Sequence, residues 1–77
     1  MTSTDMAYAL FASEVDVNAL TDDQVRAAID AHLNRCCGDL APSIEAVAEE
    51  YDRSPSTAAT HMTACLIRTS RLCGVTP

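Results

Sequence analysis

The sequence contains no lysine and no tryptophan, and only two of its 77 residues are glycine. Because aromatic residues make up just 4% of the chain, its core must be built mainly from small aliphatic side chains. Two glycines cannot form the glycine-rich loop with which many enzymes bind phosphate groups. A single domain of this length also has no room for two lobes around a substrate cleft. We therefore predict that the protein is not an enzyme.

Long apolar runs are absent too. No stretch approaches the length of a membrane span, and the first residues carry Asp5 instead of the basic group typical of a signal peptide. These absences predict a soluble, cytoplasmic protein without a membrane partner, whose four cysteines are mostly reduced thiols or metal ligands and not disulfides. Since a small, alanine-rich core benefits from burial against a partner, we also expect a homodimer.

Helical periodicity is present in the first half of the chain, and no strand pattern appears. A first helix is predicted over residues 4–15, capped by Thr4 or Ser3, with one apolar face formed by Tyr8, Phe11 and Val15. A second helix begins after Thr21, which forms a capping box with Gln24. Its apolar stripe consists of Val25, Ile29, Leu33 and Cys36. Gly38 is predicted as the left-handed C′ residue that ends it.

A third, shorter helix is predicted to start with Ser43 as its cap. Its apolar side is formed by Ile44, Val47, Ala48 and Tyr51. A tight corner at residues 52–54 then separates it from the last helix. The prediction for the whole chain, residues 1–77, is a single all-α domain, a compact bundle of about four helices that contains a helix-turn-helix at residues 43–70.

The fourth helix is predicted from its two ends. Ser54 stands at the cap position and Pro55 at the first helical position, where proline is favoured. The helix runs to about Leu72, and Gly74 and Pro77 end it.

Charge divides the sequence at this corner. The protein has a net charge of −6, yet no aspartate or glutamate follows Asp52, whereas Arg53, Arg68 and Arg71 do. Positive charge and small hydroxyl groups near a helix start favour contact with phosphate. The alternative is that Arg68 and Arg71 complement their own helix dipole or pair with acids elsewhere in the fold.

The segment SIEAVAEEYDRSPSTAATHMTACL resembles the helix-turn-helix of bacterial transcription regulators and of the promoter-binding region of sigma factors. The resemblance implies that the second helix lies in the major groove of DNA with its first residues near base edges. It places Pro55, Ser56, Thr57, Thr60 and His61 nearest the bases. Arg53 and Ser54 would lie near phosphate, and Arg68 adds positive charge. The function predicted is a small DNA-binding transcriptional regulator that acts on double-stranded DNA without a cofactor or metal.

The alternative function is an acidic helical protein-interaction module, either an adaptor or an anti-sigma-like partner. The segment AHLNRCCG resembles part of the ligand set of zinc-binding anti-sigma factors. Two histidine–cysteine pairs at i and i+4 offer four zinc ligands, His32, Cys36, His61 and Cys65. The competing interpretation is that Cys36 simply continues the apolar stripe of the second helix, since free cysteine behaves as a small buried hydrophobe.

Overall fold

Residues 2–74 are described by the structure, a computed structural model, and they form four α-helices and no strand. The helices are α1 (Ser3–Ala12), α2 (Asp22–Arg35), α3 (Ala41–Arg53) and α4 (Pro55–Leu72). The predicted all-α bundle of about four helices is therefore confirmed. The predicted role of Pro77 in ending α4 lies outside the described residues.

Two helices begin with the same local chemistry. The Thr21 hydroxyl accepts a hydrogen bond from the Gln24 amide at 3.2 Å, and the Gln24 side chain accepts one from the Thr21 amide at 2.9 Å. This confirms the predicted capping box. At α1 the cap is Thr2, which makes the same reciprocal pair with Asp5, so the predicted caps Thr4 and Ser3 were wrong. Each box satisfies amide groups that the first turn leaves without partners.

The first helix is shorter than the predicted residues 4–15. It ends at Ala12, and Glu14 follows with a left-handed φ of 60°, which no residue in an α-helix adopts. Val15 therefore lies in the connection to α2, where it is half-buried.

The end of α2 also differs in detail from the prediction. Cys36 is the cap residue and Cys37 is the C′ residue, with φ 55°, so Gly38 lies one position later, at φ 77°. The Gly38 amide donates to the Leu33 carbonyl at 2.8 Å and the Cys37 amide donates to the Asn34 carbonyl at 3.3 Å. These two bonds define a Schellman motif with two left-handed residues.

The predicted cap of α3 at Ser43 was wrong. The helix begins two residues earlier, at Ala41, whose amide donates to the Asp39 carboxylate at 3.0 Å. Ser43 is instead fully buried inside the helix, and its hydroxyl lies 2.9 Å from Nε2 of His32. The contact ties the end of α2 to the start of α3.

A single residue separates α3 from α4. α3 continues through the predicted corner to Arg53, and only Ser54 is non-helical, with extended backbone angles φ −148° and ψ 77°. The Ser54 side chain makes no capping hydrogen bond, contrary to the prediction. The two helices pack against each other, and Val47 of α3 and Ala58 of α4 both belong to the buried core.

α1 lies at the centre of the bundle. It contacts all three other helices, and its most extensive contact is with α4, the last of the four helices in the sequence. The core is small and aliphatic, as predicted, with alanines supplying part of it. Its buried apolar members are Ala7, Ala9, Leu10, Phe11, Val17, Val25, Ile29, Val47, Ala58, Met62 and Cys65.

Candidate interaction site

The first turns of α4 lie at the surface. Ser56, Thr57 and Thr60 are exposed, whereas Ser54 and His61 are half-buried. The Thr60 hydroxyl donates to the Ser56 carbonyl of the same helix at 3.0 Å. The start of α4 thus presents a small, hydroxyl-rich surface, and the residues that form it are among those predicted to contact DNA.

A groove runs beside these turns, between α4, α3 and the end of α1. It has a volume of about 440 Å³. Its apolar lining, which we call its floor, includes the buried Phe11 and Ala58 and the half-buried Val15. The acidic groove, as we call it, is bordered by four carboxylates, Glu14, Asp16, Glu49 and Glu50. Arg53, Thr57 and His61 complete its lining toward α4.

A second cleft of about 440 Å³ adjoins the acidic groove. The two share Val15, Asp16, Thr57 and His61, and the second cleft extends along α4 past Ser56 and Thr60. Five of the seven residues predicted to contact DNA therefore line one continuous concave surface: Arg53, Ser56, Thr57, Thr60 and His61.

His61 forms a fixed wall of this surface. Its ring lies on that of Phe11, with ring centroids 4.5 Å apart and planes tilted by 32°. Offset aromatic pairs of this geometry stabilise the contact beyond the area they bury. The imidazole therefore forms part of the contact between α1 and α4, and only part of it faces the groove.

The charged groups of the groove are unequally paired. Arg53 forms an ion pair with Glu50, one turn away on α3. Within residues 2–74, no ion pair is made by Glu14, Asp16 or Glu49. The groove consequently carries an excess of negative charge, and its one guanidinium is already neutralised by a neighbour.

Arg68 lines neither of these two clefts but a third one, of about 310 Å³, that shares Val17, Asn18, Thr60 and Ala64 with the second cleft. Its side chain is only 14% exposed, and its guanidinium donates to the Leu20 carbonyl at 2.7 Å and to the Asp22 carboxylate at 3.3 Å. Arg71 donates to the same carboxylate at 2.9 Å. The hydrogen bond from Arg71, joined by the positive charges nearby, holds the pKa of Asp22 below its ordinary value. This arrangement favours the alternative in which the basic end of α4 pairs within the fold.

The four candidate zinc ligands are not brought together. His32 and Cys36 lie at the end of α2, with the thiol 3.7 Å from the imidazole, whereas His61 packs on Phe11. Cys65 is fully buried in the core, and burial raises the pKa of its thiol to about 12. Among residues 2–74, no three histidine, cysteine or carboxylate side chains are placed to hold a metal ion.

Sequence reasoning missed most of the groove, since only Arg53, Thr57 and His61 of its lining were predicted site residues. Phe11, Glu14 and Asp16 come from the end of α1 and the loop after it, some forty residues before α4. No spacing in the sequence marks these residues as neighbours of Thr57, because only the packing of α1 between α3 and α4 brings them together.

A separate exposed apolar stripe runs along α3. Ile44 is 50% exposed and Tyr51 is 37% exposed, and the exposed Ala48 lies between them at helical spacing. On α4, Leu66 and Ile67 are also exposed. Met62, one turn before Leu66 on the same helix, is buried.

Comparison with protein-family models, with curated protein sequences and with solved structures gives no match to this chain. Across residues 2–74, no helix has both the length and the apolarity needed to cross a bilayer. A proposal for the function therefore rests on the chain's own residues and contacts.

Proposed function

We propose that this protein is a protein-interaction module that binds its partner at the acidic groove beside the start of α4. One observation supports the proposal above all: an apolar floor at Phe11, Val15 and Ala58 is bordered by carboxylates that the described residues leave largely unpaired. Concave apolar surfaces with a few convergent polar groups are where proteins bind ligands and peptide segments. The proposal is the acidic interaction module that the sequence offered as its alternative.

Electrostatics favour a protein partner over nucleic acid. Binding to the DNA backbone depends on lysine or arginine groups that displace counterions from phosphate. Here Arg53 is paired with Glu50, while Arg68 and Arg71 share Asp22. Phosphate groups approaching the groove would instead meet its carboxylates. The exposed stripe of α3, with its isoleucine and tyrosine, adds further surface of the kind found at protein interfaces.

The second candidate is the DNA-binding regulator with a helix-turn-helix at residues 43–70. It is supported by the break at Ser54 and by the exposure of Ser56, Thr57 and Thr60 at the start of α4. In this case affinity would come from Arg53 and from backbone contacts, because these side chains read bases poorly. Double-stranded DNA as partner, a homodimer and a cytoplasmic location are parts of this hypothesis.

The two candidates are distinguished by photo-crosslinking in cells. A photoreactive amino acid replaces the exposed Thr57 in one variant and the exposed Asp30, on α2 away from the groove, in a matched control. The interaction module predicts an adduct from position 57, larger than the chain itself, that nuclease leaves intact, and no such adduct from position 30.

Binding of random-sequence duplex DNA to the purified protein at 50 and 200 mM salt completes the test. We expect no binding at either concentration. The proposal is refuted if the adduct at position 57 is destroyed by nuclease, or if the duplex binds at 50 mM salt with an affinity that falls steeply at 200 mM, as counterion release requires.

A further inference from the structure

We infer that the partner of the acidic groove is a short segment in which one bulky apolar side chain stands between two basic ones. The inference rests on the proposed function and names the chemistry of its partner. It follows from how the apolar and charged groups are distributed across the groove.

The middle of the groove suits an apolar side chain. Phe11 and Ala58 are almost completely buried and Val15 is half-buried, so the floor is fixed by the core and offers no hydrogen bond from these side chains. A volume of about 440 Å³ lies in the range of sites that hold small ligands or a few side chains. Transfer of a leucine-sized side chain from water into such a site supplies most of the binding free energy that we expect for the partner.

The two sides of the groove suit cations. Glu49 and Glu50 come from α3, and Glu14 and Asp16 come from the segment that follows α1. A segment bound in the groove therefore meets carboxylates from two separate elements. Charge complementarity of this kind fixes the orientation of a partner and excludes acidic ones.

Arg53 competes with a basic group of the partner for the carboxylate of Glu50. Its guanidinium already pairs with Glu50, so a basic group of the partner must share or displace it. The two functional hypotheses therefore make opposite predictions for one substitution. Replacing Arg53 should strengthen the binding of a basic segment, whereas it should weaken the binding of DNA.

The test uses fluorescence anisotropy with the full chain and short labelled peptides. The first peptide alternates arginine and leucine, the second replaces each arginine by glutamate, and the third replaces each leucine by serine. We expect the first to bind, the second not to bind, and the third to bind roughly tenfold or more weakly, since it lacks the apolar contact.

Three variants connect binding to the groove. Glu49→Gln should lower the affinity for the first peptide by roughly two- to fivefold, as is typical of the loss of an exposed ion pair. Glu45→Gln, one turn earlier on the same helix and outside the groove, makes the same change of charge and should have no effect. Arg53→Gln should strengthen binding by roughly two- to fivefold. Equal effects of Glu49→Gln and Glu45→Gln, or weaker binding by Arg53→Gln, would overturn the inference.

Amide chemical shifts locate the bound peptide. We expect changes over residues 11–16, at Ala46, over residues 49–53 and over residues 57–61, and none over α2, which does not line the groove. If the first peptide fails to bind while the adduct at position 57 still resists nuclease, the inference is wrong and the proposed function stands. If duplex DNA binds and shifts these amides, both are wrong.

Discussion

Arg68 was predicted to contact DNA, and its position in the fold leads to a different expectation for its loss. We consider Arg68→Met, which keeps most of the apolar stem and removes the guanidinium. Arg71→Met is the matched control, because Arg71 pairs with the same carboxylate but its side chain is 59% exposed. If the Arg68 guanidinium stabilises the fold, only Arg68→Met should lower the free energy of unfolding appreciably.

The magnitude follows from the partners of each guanidinium. Arg68 donates to the Leu20 carbonyl at 2.7 Å, a part-buried bond that joins α4 to the loop before α2. Leaving such an acceptor without its charged donor costs roughly 1–3 kcal/mol. Arg71 donates to Asp22, an exposed contact whose loss should cost little. For a chain of this size, the total free energy of unfolding is of the order of 4–12 kcal/mol.

Urea denaturation followed by circular dichroism measures the difference. With an m-value of about 1 kcal/mol per molar, Arg68→Met should lower the midpoint by about 1 M or more, and Arg71→Met should leave it nearly unchanged. Equal, small shifts in the two variants would show that the bond to Leu20 contributes nothing, and Arg68 would then be available for a ligand.

Three further predictions concern single side chains. Because the folded pKa of Asp22 is lowered, its carboxylate contributes stability above the ordinary value of 3.8 and loses it as the pH falls through the folded value, so the unfolding free energies of the protein and of Asp22→Asn should converge in acid. The Cys65 thiol, with its pKa raised to about 12, should resist a thiol reagent at pH 8 until the protein unfolds, whereas the exposed Cys37 and Cys73 react at once; equal rates would contradict its burial. Thr21→Ala should cost about 1 kcal/mol in urea denaturation, and no change would mean that the capping box is not formed in solution.

The features that could be predicted from the sequence are those that depend on near neighbours. Thr21 and Gln24 are three residues apart, so their capping box is visible in the sequence and is present in the structure. Ser43 shows the limit of this reasoning. A serine hydroxyl can cap a helix or form a hydrogen bond elsewhere. Here the turn after α2 brings the Ser43 hydroxyl within 2.9 Å of Nε2 of His32, and the two form a hydrogen bond.

The candidate site was predicted in part for the same reason. The exposure of Ser56, Thr57 and Thr60 follows from the helical periodicity of α4. The charge around them does not, because Glu14 and Asp16 arrive through the packing of α1. Arg68 likewise finds Leu20 and Asp22 more than forty residues away. A charge count along the chain therefore identified a basic helix end whose positive groups are used inside the fold.

The central position of α1 has a consequence for biosynthesis. Of the four helices, α1 leaves the ribosome before the others, yet its largest contact is with α4, the last of the four to be translated. Until residues up to about 72 have been translated, the apolar face around Leu10 and Phe11 has no complete cover. Stable folding should therefore follow translation of α4, and nascent chains that stop before it should be the ones that chaperones hold and proteases remove.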